Sequence, residues 1–269
     1  MVKLAIRDDD INFFTKVDDL EKIYGAFEKF PISFAVIPDV IDVSTKGSCS
    51  DTKGNTIPRF IGENIELCLW LKNKLQSDEC DILMHGINHL YRWGGRELLA
   101  EMIWRDNQKN LFEEIQKWLL EMDKIFDYRI SVFVAPSNKI TQKCLQDVVA
   151  NGLNFSGIVP INFQRNCSVR NICNYIKRWV CRGIYRLPYP GVLHYTDHYE
   201  INACILQSYD YLVKMYSFCE KRQMPMAINV HYWYLRDNPA QLEILRSFVM
   251  DYAIPHGAIP TKMSDLLPR

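Results

Sequence analysis

The run Leu4-Ala5-Ile6-Arg7-Asp8-Asp9-Asp10 decides how the rest of the chain is read. Its apolar start reads as a short buried strand, and three adjacent carboxylates at the end of such a strand repel one another and lose hydration. They are not there for stability. Two other places have the same form: His85-Gly86-Ile87-Asn88-His89 follows one apolar run, and His231 follows Ala227-Ile228-Asn229-Val230. A divalent cation held by a carboxylate and the two histidines is the simplest reason to gather these residue types.

Outward from these points, strands alternate with helices. Short runs rich in Ile, Val, Phe or Leu predict strands at 2–7, 32–38, 81–85, 130–135, 154–159, 183–188 and 226–231. Helical periodicity predicts helices at 18–30, 58–75, 97–126 (one long or broken), 141–151, 200–222 and 239–252. Seven β/α units without a linker, a repeat or a low-complexity stretch imply one domain over residues 1–269, an α/β fold with a closed or nearly closed parallel barrel. A doubly wound open sheet is the alternative. In either fold the three motif sites lie at carboxyl ends of strands, which converge on one face.

Composition bounds the function less tightly. In 269 residues, 48% hydrophobic, the chain can bury a large core, and its 32 basic and 32 acidic residues cancel. No global field gathers nucleic acid, so none is expected as a partner. The N-terminal apolar run is too short for a signal-peptide core and no run is long enough to span a bilayer, from which a cytoplasmic location is expected. Nine cysteines without a C-x-x-C pair read as free thiols, most of them small core residues.

The residues also carry a resemblance. The run from Leu4 to Asp10, the pair His85 and His89, and Asn229-Val230-His231 resemble the successive motifs of the polysaccharide deacetylase family, carbohydrate esterase family four in the broad sense. Ile32 to Pro38, Phe133-Val134-Ala135-Pro136-Ser137-Asn138 and the closing Pro260 to Leu267 add matches in the same order along nearly the whole chain. The resemblance implies a distorted (β/α)7 barrel, TIM-like, and a metal-dependent hydrolase that removes an acetyl group from a sugar. It makes Asp10, His85 and His89 the ligands of a divalent metal ion such as zinc, Asp9 the general base and His231 the general acid.

The chain departs from the family pattern twice. Ile11 stands where a small residue commonly follows the aspartate pair, so base and ligand could shift by one position; strand alternation puts Asp8 and Asp10 on one side and Asp9 on the other until the strand bends. The fourth strand lacks the arginine that many family members place before the proline to orient the catalytic aspartate. Arg7 substitutes for it only if its side chain points away from the helix layer.

Further residues suggest a carbohydrate partner. Trp93 and Trp233 follow the histidine motifs, where sugar faces could stack, and Asn88, Ser137 and Asn138 are polar contact candidates. His194 and His198 read as a rim loop rather than a second metal site. Residues 170–186 interleave Arg170, Lys177, Arg178, Arg182 and Arg186 with apolar residues through Trp179. They read as an ordinary barrel helix with snorkelling basic stems, or as a cationic patch that meets a phosphate of a nucleotide-linked or lipid-linked sugar. A non-catalytic carbohydrate-binding barrel and a non-haem iron oxygenase are the competing classes; the oxygenase lacks its usual H-x-D order.

Overall fold

Alternation along the first strand sets the layers. In the computed structural model, which describes residues 1–27, 29–43, 49–157 and 168–267, Leu4 and Ile6 pack outward with the helices while Ala5 packs inward with Ala35, Leu83, Val134 and Ala227. Small inward residues are what a narrow barrel interior admits.

The strands of the main sheet are β1 (Lys3–Ile11), β2 (Ile32–Val36), β3 (Cys80–His85), β4 (Val132–Val134), β5 (Asn154–Ser156), β6 (Leu193–His194), β7 (Tyr199–Ile201), β8 (Cys204–Ile205), β9 (Met226–His231) and β10 (Ile259–Pro260). They are ordered β6-β7-β5-β4-β3-β2-β1-β9-β8, with β10 also against β1. All pairings are parallel except the β6–β7 hairpin. β7 and β8 belong to opposite ends of this order, yet only Asn202 and Ala203 separate them. Three Cα steps span at most roughly 11 Å. The sheet therefore curls until its ends nearly meet, a distorted barrel rather than an open doubly wound sheet.

The C-terminal segment closes the amino end of the barrel. Met263, Leu266 and Leu267 join the inner apolar cluster, the Met263 amide donates to Ser33 Oγ (2.9 Å), and the Ser264 amide donates to Asp81 Oδ2 (2.8 Å). Outside, fully buried Leu4, Ile6, Phe34 and Phe133 meet the helix layer, each contributing about 1.5–3 kcal/mol by burial.

Several sequence expectations change. The stretch 183–188 forms no strand: it lies at the end of a helical segment, Val169–Val180 continued by Cys181–Tyr185, and the sixth parallel strand is the three-residue β7. Helix 200–222 correspondingly starts only at Tyr209. The 97–126 segment is broken into a ribbon strand, Glu97–Leu99, and helices Glu101–Trp104 and Leu111–Phe126. Strand 154–159 ends at Ser156, and residues 158 and 159 lie outside the described residues. Among the described cysteines all are free, and all but Cys173 are buried. No helix among the described residues is long and apolar enough to cross a membrane.

Candidate metal centre

The three consecutive aspartates of β1 have three different environments. Asp8 faces the helix layer, where Tyr24 Oη (2.8 Å) and the Tyr232 amide (2.7 Å) donate to it, and burial pushes its carboxyl pKa up. Asp9 points inward with Arg7. The Arg7 guanidinium forks onto it, Nε to Oδ1 and Nη2 to Oδ2, both at 2.8 Å, and its Nη1 donates to Ser156 Oγ at 2.8 Å. Asn229 Nδ2 adds a bond to Asp9 Oδ2 at 2.7 Å.

Asp10 breaks the alternation. Its φ of 70° is left-handed, and the β1–β2 register shifts between Asp8 and Ile11. The simple pleat would have sent Asp10 to the side of Asp8. The irregularity turns it to the histidines instead, and Asn12 Nδ2 holds the Asp10 carbonyl at 2.6 Å.

His85 ends β3 and is almost wholly buried. Its Nδ1 lies 3.1 Å from the Val134 carbonyl, which can only accept, so Nδ1 carries the hydrogen and the neutral ring has its lone pair at Nε2. That nitrogen faces Asp10 Oδ1 at 3.1 Å, and His89 Nε2 faces the same oxygen at 3.2 Å. One ligand atom from each of the three residues lies within 4.8 Å of the others. Two imidazole nitrogens converging on one carboxylate oxygen fit a cation, and two nitrogens with one oxygen are a donor set for a divalent first-row ion.

The electrostatics agree in sign. Burial opposes ionisation of Asp10, but His89, His85 and His231 outweigh it and hold its carboxyl well below the usual carboxylate range. Burial works against a charge on both histidines. For His85 the hydrogen bond to Asp10 and the charges of Asp9 and Asp10 outweigh it and raise the pKa, whereas at His89 burial prevails and lowers it.

The histidine loop is held by a group that sequence reading missed. The fully buried Glu101 carboxylate accepts from the amides of Ile87 (3.2 Å), Asn88 (3.0 Å) and His89 (2.8 Å), and Arg105 Nε donates to it at 2.7 Å. The loop has left-handed φ at Gly86 (61°) and His89 (55°). A Cβ on Gly86 would lie 2.4 Å from Pro136 Cγ and 2.5 Å from Glu101 Oε2, so only glycine fits there. Glu101 stands 12 residues beyond His89, and its signal was a lone acid opening a short helix. Asn88, expected at the substrate, is engaged in the same brace: Nδ2 donates to the Asp39 carbonyl (2.7 Å) and Oδ1 accepts from Arg105 (2.5 Å).

The remaining candidates are spread around this centre. His231, the last residue of β9, pairs in register with Asp9; its side chain is 34% exposed and its Nε2 lies 3.7 Å from Asp10 Oδ2. Trp233 Nε1 donates to Asp10 Oδ2 at 3.0 Å, and its ring sits 5.3 Å from that of His231. Ser137 and Asn138 occupy the loop after β4, both with left-handed φ, and Ser137 Oγ is hydrogen-bonded to Tyr91, whose ring lies 5.6 Å from His89. Trp93 is 75% exposed on the ribbon strand Arg92–Gly94. His194 and His198 lie elsewhere, on the β6–β7 hairpin, where His198 is bonded to Asp197 (2.6 Å) and Glu200 (2.9 Å).

No protein-family model and no curated protein matches the sequence. Among solved structures, a Mycobacterium smegmatis protein assigned as a polysaccharide deacetylase aligns over 98% of this chain and 88% of its own, at 8% identity and a TM-score of 0.55. A carbohydrate esterase family four domain of a multidomain xylanase from the hindgut metagenome of Trinervitermes trinervoides covers 99% and 90%, at 10% identity and a TM-score of 0.48. A family four pseudoenzyme from Bacillus anthracis covers 98% of this chain, which spans 64% of that protein, at 7% identity and a TM-score of 0.48. The first likeness shows a shared fold. The chain has the barrel fold found in that polysaccharide deacetylase structure, as the order of its strand-end motifs leads one to expect.

Proposed function

We propose that the protein is a metal-dependent hydrolase that removes an acetyl group, N-acetyl first among the candidates, from a carbohydrate or glycan precursor. The convergence of Asp10, His85 and His89 carries this reading, with Asp9 and His231 beside them on neighbouring strands. Those three residues would hold a divalent ion, zinc being the first choice for such a donor set. When bound, such an ion polarises an acetyl carbonyl and acidifies a water.

The other steps fall to the chain's own side chains. Asp9 has about four lone-pair sites. Arg7 takes one on each oxygen and Asn229 takes a second on Oδ2, which leaves a site on Oδ1 to accept the proton of an attacking water. Arg7 thus orients the base from β1, where the fourth strand has no arginine. His231, more exposed than the ligands, would give a proton to the leaving amine. Trp233 fixes the outer oxygen of Asp10. Trp93, Ser137 and Asn138 are proposed as sugar contacts at the rim.

The test is acetate release from a panel of N- and O-acetylated sugars by zinc-loaded protein. Release that stops on chelation and returns with metal is the expected result. Metal bound without release from any sugar points to a carbohydrate-binding barrel, and failure to bind metal removes the reading altogether.

A further inference from the structure

The helix Val169–Val180 is built inside out. Its buried positions are polar, Asn174 at 3% and Arg178 at 7% exposure, and Asn174 Nδ2 donates to the His194 carbonyl at 2.8 Å. Its apolar positions face solvent: Val169 is 81% exposed, Ile172 51%, Ile176 52% and Trp179 57%, with Val180 and Ile184 beside them. Spacings of three and four residues put these on one side of the helix. A water-facing barrel helix has the reverse polarity. Six exposed apolar residues side by side on one helical face are more than single scattered exposures and mark a contact surface.

Charge selects the occupant. No acidic residue occurs between Asp147 and Asp197, although the whole chain has zero formal net charge. Exposed Lys177 and Arg182 project from positions on either flank of the apolar stripe, and exposed Arg186 follows. A second copy of the chain would bring the same acid-free, basic rim against this one, and the like charges repel. An apolar stripe with an aromatic residue and cations on both margins fits an anionic lipid surface, where the stripe enters the acyl boundary and the cations meet headgroup phosphates. We infer that the Val169–Ile184 helical segment docks the protein on an anionic membrane surface, lying in the interface without crossing it.

The test is co-sedimentation of the full chain with vesicles of phosphatidylcholine alone and with vesicles in which roughly a third of the lipid is phosphatidylglycerol, which gives a negative surface potential. Binding to the anionic vesicles that weakens with salt is expected. Ile176→Glu/Trp179→Glu should weaken it at least about tenfold, and Lys177→Gln/Arg182→Gln should weaken it with the apolar face intact. Circular dichroism would confirm that these surface variants fold. Free phosphate or glycerol phosphate should not compete, since a soluble phosphate lacks the acyl boundary. Absence of binding, equal binding to both vesicle types, unchanged binding by the double glutamate variant, or a dimer in sedimentation velocity that this variant dissolves would each overturn the inference.

Discussion

Arg7 and Asp9 occupy alternate positions of one strand and meet inside the barrel through two parallel hydrogen bonds of 2.8 Å. Both side chains are essentially buried, so each charge depends on the other for compensation. Removing one partner of such a pair costs about 3–5 kcal/mol, because the survivor keeps its charge without water. Arg7→Gln should therefore lower unfolding stability by that amount, and Arg7→Gln/Asp9→Asn should recover a large part of it. Chemical denaturation of the four proteins in the cycle checks this, and additive losses would show that the fork is not a coupled pair.

The Glu101 brace predicts a loss of metal affinity without loss of a ligand. Glu101→Gln keeps the shape but replaces one acceptor oxygen with an amide that cannot accept three backbone hydrogens. Zinc affinity measured by competition with a chromophoric chelator should fall about 10–100-fold, the range for groups that orient ligands. Gly86→Ala should do at least as much and also destabilise the fold, since the added methyl meets Pro136 and Glu101 in a left-handed backbone. Wild-type affinity in both variants would mean that the loop finds its place without the brace.

At the other end of the barrel, Asp81 predicts a pH dependence of stability. Burial raises its pKa above the ordinary 3.8, and hydrogen bonds from Ser33 and Ser264 only partly oppose this. A folded-state pKa above the unfolded one means that the native state binds the proton more tightly. The stabilisation from Asp81 is then complete below the ordinary carboxylate range and is lost as pH rises through the raised folded value. Asp81→Asn cannot titrate, so its stability curve should be flatter than that of the wild type from pH 4 upward, by thermal melts at several pH values. Parallel curves would place the pH dependence elsewhere.

Trp233 gives a finer test of the ligand geometry. Its indole hydrogen bond to Asp10 Oδ2 fixes which oxygen turns to the histidines. Trp233→Phe keeps most of the ring and removes that bond, so zinc affinity should fall about tenfold. Unchanged affinity would assign the orientation of Asp10 to the strand irregularity alone.

Much of this architecture was legible where the signal is local. Strand ends at His85 and His231 follow apolar runs with little ambiguity, and both fall where the sequence put them. The direction of Asp10 was not legible, because the left-handed φ that turns it goes with a register shift against β2, a non-local property. β7 was missed because Tyr199-Glu200-Ile201 is too short for a periodic pattern, while the more apolar residues near Ile184 imitate a strand. The polarity of the Val169–Val180 helix could be seen as two faces in the sequence, but which face turns outward depends on what the helix packs against, here the β6–β7 hairpin that Asn174 reaches.

If the grouped residues perform metal-assisted hydrolysis, binding and chemistry separate at Asp9. Acetate release from an N-acetylated sugar should be measured for wild type and Asp9→Asn, each loaded with the same zinc content verified by elemental analysis. Asp9→Asn should retain the metal and lose activity by roughly two or more orders of magnitude, the scale of losing a positioned base. Equal acetate release by the two proteins at equal metal content would contradict it.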